Sequence, residues 1–141
     1  MKQQLIQRLH AEGCSCVVYN QEQTLLFHQR GVQDLHHLLH SSPATLHGAM
    51  IADKVVGKGA AVLMVAGGVE WVYAEVISEA ALALFVEHSI EVEVGCVVPH
   101  IINRMGTDIC PVEKLCMGRT DIEECVGLID DFIKANSQNK G

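Results

Sequence analysis

The chain has 141 residues, a formal net charge of −7 and 49% hydrophobic residues, which suits a single folded domain and argues against disorder. The acidic balance counts against nucleic acid as a partner, because backbone binding needs a broad basic face. The longest apolar run, Ala60 to Ala66, is too short to cross a bilayer.

Leu5, Ile6 and Leu9 predict a short helix closed at Glu12-Gly13, then Cys14 to Tyr19 and Thr24 to His28 predict a hairpin across a four-residue loop. Arg30-Gly31 interrupts the pattern, and Leu35, Leu38 and Leu39 mark a helix that stops near Ser41-Ser42-Pro43. His47 to Ile51 reads as an apolar lead into a long helix from Ala52 to about Ala66, ended by Gly67-Gly68. Trp71 to Ile77 is a buried strand with Ser78 as N-cap of a helix over Ala80 to His88, and Ile90 to Val94 returns as a strand. Val97 to Ile102, broken by Pro99, is either a last short strand or a helix start; Asn103 to Cys110 is a polar loop. Pro111 opens a further helix and Ile122 to Ala135 is the terminal amphipathic one. The division is one domain over 1–136 with a flexible tail over 137–141. A hairpin followed by alternating helices and strands implies an α/β protein with a mixed sheet between helices.

Aromatics are 4% of the chain, so Val, Leu, Ile and Ala must build the core. Six cysteines without a recognisable signal peptide suit a reduced, cytoplasmic setting, with thiols acting as small buried hydrophobes. Cys14 and Cys16 alternate along the first predicted strand, so both are expected on one buried side.

The run Ala52-Asp53-Lys54-Val55-Val56-Gly57-Lys58, with Ile77-Ser78, Val98-Pro99, Ile102-Asn103-Arg104 and Cys110-Pro111-Val112-Glu113, resembles a family of small prokaryotic proteins of unknown function with a cytidine-deaminase-like fold. The resemblance covers nearly the whole chain. It implies a three-layer sandwich around a central sheet of about five strands, and a homo-oligomer assembled through helix faces; it does not imply deamination. Zinc deaminases carry His-x-Glu at the start of the second core helix and Pro-Cys-x-x-Cys at the start of the third. The stretches expected to hold them, Ala52-Asp53-Lys54 and Ser78-Glu79-Ala80-Ala81, have neither, so a zinc cofactor is not expected.

Within the predicted helix, Lys54 and Lys58 fall one turn apart and share a face, near an end that already carries partial positive charge. Such a pair is suited to a phosphate or carboxylate, with Asp53 orienting a ribose hydroxyl; the alternative is two surface lysines and glycines kept for close packing. The glycines are not a phosphate loop, since Ala52 and Gly59 stand where that motif needs Gly and Ser or Thr. Cys110 and Glu113 place a thiol and a carboxylate at a helix start, as nucleophile and base, with His100 an alternative base; the simpler reading is a buried thiol and a carboxylate facing the helix dipole. Asn103 and Arg104 are candidate ligand contacts in the polar loop, against ordinary loop hydrogen bonding. His36, His37 and His40 share one helix, and His36 and His40 have metal-ligand spacing, but a solvated face is the simpler account and no metal site is assigned.

The leading expectation is a zinc-independent protein that binds a nucleotide or similar small anion through Asp53, Lys54, Lys58, Ser78, Asn103 and Arg104. The alternatives are an enzyme using Cys110, and a non-catalytic oligomeric protein with a degenerate site.

Overall fold

The computed structural model describes residues 2–28, 32–102, 109–119 and 121–138. Helix α1 (Lys2–Ala11) buries Leu5 and Leu9, one turn apart, with Ile6 half-buried beside them. Strands β1 (Cys16–Asn20) and β2 (Gln23–Phe27) form the expected hairpin, but Asn20 pairs with Gln23, so the loop is only Gln21 and Glu22. Their φ values of 49° and 64° are the left-handed backbone that a two-residue turn between twisted strands requires. Helix α2 (Gln33–Ser41) and the single turn α3 (Pro43–Leu46) follow.

The largest departure from the sequence reading comes next. Met50–Val56 is a strand, β3, and helix α4 (Lys58–Gly67) begins only after Gly57, its N-cap. The expected helix start at Ala52 is thereby corrected. A short apolar run gives no period that separates a doubly covered strand from a buried helix. The sheet decides it, because β3 lies between two strands and both neighbours take up its backbone hydrogen bonds. The far end agrees with expectation: Gly68, at φ 79°, caps α4 in the left-handed conformation.

Strand β4 (Trp71–Ser78), helix α5 (Glu79–Glu87) and strand β5 (Glu91–Val98) complete two strand–helix–strand units. β5 continues to Val98, past the predicted end at Val94, so the strand alternative holds for Val97 and Val98. Helices α6 (Pro111–Cys116) and α7 (Ile122–Gln138) close the chain.

The sheet order is β2-β1-β3-β4-β5, with β1 antiparallel to both neighbours and β3, β4 and β5 parallel. Its two faces carry separate cores. Cys16, Val18, Ile51, Val72 and Ala74 face the larger one, shared with α2, α4, α5, α6 and α7; Val17, Ala52 and Trp71 face the smaller one under α1. Cys14 and Cys16 are both buried, as expected, but enter opposite cores. Cys14 precedes β1, so strand alternation does not reach it.

Candidate functional site

The carboxyl ends of β3 and β4 lead into α4 and α5, and most of the chemistry-bearing residues collect there. Gly57 and Gly59 let α6 approach the start of α4. A Cβ on Gly57 would meet Ile101 at 3.2 Å, and one on Gly59 would lie 2.2 Å from Val112 Cγ1. The approach brings the Glu113 side chain, only 1% exposed, onto the first turn of α4. The Lys58 backbone N–H donates to Glu113 Oε1 at 3.4 Å, and the Ile101 N–H donates to Oε2. An internal carboxylate thus sits where a helix N-terminus offers partial positive charge.

Lys58 is buried, and its Nζ donates to the Arg119 carbonyl, tying α4 to the turn after α6. Lys54 belongs to β3 rather than to α4. Lys54 lies on a strand and Lys58 on the helix that follows it, so the two lysines do not share a helical face. Asp53 points into the larger core, level with Cys16 and Ala74. Burial pushes its carboxyl up to about 7, although the Val55 and Lys54 N–H groups act against the rise. The same burial, with Asp53 beside it, pushes the Cys16 thiol well up. Ser78 is the N-cap of α5, as its position predicts, and its Oγ accepts from the Ala81 N–H at 3.2 Å. Asn103 and Arg104 lie outside the described residues.

Cys110 is the half-buried N-cap of α6, and its N–H donates to the Ile101 carbonyl at 2.7 Å. Both oxygens of Glu113, its expected base, accept hydrogen bonds from Lys58 and Ile101. His100 is exposed. Burial beside Cys125 pushes the Cys116 thiol up to about 12, a group suited to packing rather than to nucleophilic attack.

One cluster escaped the sequence reading. His36 and His40 on α2 both point their Nε2 atoms at Asp130 Oδ1 on α7, at 2.6 and 2.8 Å. Partial burial raises the Asp130 carboxyl, but the hydrogen bonds from His40 and His36 outweigh it and hold the group below its usual range. The histidine spacing was legible. Asp130, separated from His36 by 94 positions, carried no local signal.

Zinc deaminases carry nitrogen and sulfur ligands at the starts of two of their own helices. Gly57-Lys58-Gly59 opens α4 and Ser78-Glu79-Ala80 leads into α5, so the donor set does not fit that ion. Fold and site together define an α/β domain on a mixed five-stranded sheet, with a buried glutamate held at the start of α4. The chain belongs to the family described as TM1506, domain of unknown function (DUF1893), whose model matches residues 4–133. It is similar to the crystal structure of a DUF1893 family protein (TM1506) from Thermotoga maritima. The two are 24% identical with a TM-score of 0.84, over 92% of this chain and 87% of that one, a likeness of fold. No curated protein matches the chain.

Proposed function

We propose that this protein has a cytidine-deaminase-like architecture and binds a nucleotide or another small anionic ligand at the start of α4, without zinc. One observation carries the reading: two backbone N–H groups, from Lys58 and Ile101, converge on the buried Glu113 carboxylate. That pair of donors at a helix N-terminus is a seat for a negatively charged group. Glu113 fills the seat in the free protein, and a phosphate or carboxylate of the ligand competes with it. Of the residues expected to bind ligand, Lys58 has the most direct place in this reading. Asp53 lies in the larger core level with Cys16 and Ala74, so its part in ligand binding rests on the sequence expectation alone.

Native mass spectrometry of the untagged protein, followed by thermal shift with inorganic phosphate and nucleoside monophosphates, tests the proposal. The expected result is a retained or stabilising phosphate compound, with a larger shift in Glu113→Ala, where the seat is freed. If phosphate compounds leave both proteins unshifted at millimolar concentration, the seat is permanently closed and the reading fails.

A second reading is a non-catalytic interaction protein that assembles with itself. Its support is that Lys58, Ser78 and Glu113 all have hydrogen-bond partners within the chain. Sedimentation showing a stable homo-oligomer, together with no bound ligand, favours it. The Cys110 enzyme reading requires selective alkylation of Cys110 near neutral pH, since Glu113 is engaged elsewhere.

A further inference from the structure

The side chains of His36, His40 and Asp130 form the tightest grouping of metal-ligating atoms among the described residues, away from the helix starts of the proposed anion seat. One imidazole nitrogen from each histidine and a carboxylate oxygen all lie within 4.8 Å of one another. The two rings stand 4.5 Å apart, with planes at 64°. The fold builds this arrangement from distant segments: α2 and α7 both pack on α4, and that shared support brings Asp130 to the histidine pair. The His36 and Asp130 side chains are 17% and 27% exposed, whereas His40 is 47% exposed, so the group is sheltered on one side and open on the other.

We propose that His36, His40 and Asp130 form a binding site for a divalent transition metal, zinc above all, that staples α7 to α2. The donor set is two imidazoles and one carboxylate, which suits zinc and its first-row neighbours better than magnesium or calcium, whose ligands are oxygens. Histidines four residues apart on a helix present their rings to one point, as in helical zinc motifs. Bonds of about 2.0 Å to each donor in a tetrahedral site separate the ligand atoms by roughly 3.3 Å. The present 2.6 and 2.8 Å contacts to Asp130 therefore need to open by about 0.5–0.7 Å for an ion to enter. The ion replaces the ring protons now shared with Oδ1, and solvent on the exposed His40 side supplies the fourth ligand.

The test uses untagged full-length protein, stripped with chelator and dialysed, titrated with Zn²⁺ by calorimetry and with Co²⁺ by visible absorption. One equivalent of Zn²⁺ should bind and raise Tm, and Co²⁺ should give the d–d bands of nitrogen and oxygen ligation without a thiolate charge-transfer band. His40→Ala and Asp130→Asn should each weaken binding at least about tenfold and remove the metal-dependent rise in Tm. His37→Ala, on the same helix but outside the cluster, should bind as the parent does. Should Asp130→Asn fail to fold without metal, His36→Gln serves as the second ligand variant. Absence of a stoichiometric site in the parent, affinity unchanged in the ligand variants, or a thiolate band would each overturn the proposal. None of these outcomes depends on anion binding at α4.

Discussion

Burial of Asp53 in the larger core makes its titration a folding event. Its carboxyl reaches about 7 in the native state, whereas the unfolded group titrates near its ordinary value of 3.8. Between those values the native state binds more protons, so Asp53 makes stability fall as pH rises from about 4 to 7, with no further change above. The displacement corresponds to a cost on the order of 4 kcal/mol at alkaline pH. Asp53→Asn should therefore be more stable than the parent at pH 8, by about 1–4 kcal/mol, and no more stable at pH 4. Urea unfolding at both pH values checks this; an equal offset at both would remove the titration from the explanation. Gly59 acts by what it lacks. A Cβ there would stand 2.2 Å from Val112 Cγ1, so Val112 must shift if any side chain is added. Gly59→Ala should cost about 1–3 kcal/mol by overpacking, despite alanine's better helix propensity. A stabilised variant would show that Val112 yields freely.

Among the elements, the β1–β2 hairpin is held in a demanding turn by residues poorly suited to it. Gln21 and Glu22 both take positive φ, where a side chain meets backbone and where Asn-Gly is the preferred pair. Replacing them with Gln21→Asn and Glu22→Gly should raise stability by about 1 kcal/mol in chemical denaturation, without altering the far-ultraviolet spectrum. A loss would mean that the two side chains make contacts outweighing their backbone strain. In the same hairpin, polar residues over 20–23 read as four loop positions, but register across β1 and β2 absorbs the outer two into the ladder. β3 is the opposite case, an element masked by its own burial. Its residues carry no alternation to read, and Gly57, the actual boundary, resembled an interior glycine until the strand ended there.

At the scale of the whole molecule, the sheet is covered unequally. α4 lies at the centre of the larger core, with nearly all of its residues buried, while α1 attaches through the smaller cluster around Leu5, Leu9 and Trp71. Opening free energies follow buried apolar contact, so amide exchange should be slowest in β3, β4 and α4 and fastest among the helices in α1. Leu9→Ala, at a fully buried site, should cost about 2–5 kcal/mol and accelerate exchange in α1 before it affects α4. Uniform acceleration across the chain would instead mean that both cores open as one unit. No helix among the described residues is long and apolar enough to cross a membrane, in line with the short apolar runs of the sequence.

Local chemistry determined what the sequence could announce by itself: the α/β class, Ser78 as an N-cap, Pro111 as a helix opener and Gly67-Gly68 as a helix end. Each depends on neighbours a few positions away, where backbone geometry and side-chain type are directly coupled. Tertiary structure alone decided that Met50–Val56 is a strand, that Lys54 and Lys58 part company, that Glu113 closes the start of α4, and that Asp130 meets His36 and His40. Those outcomes join segments separated by tens of residues. They are fixed by which surfaces the sheet and α4 bring together, which no local period or spacing encodes.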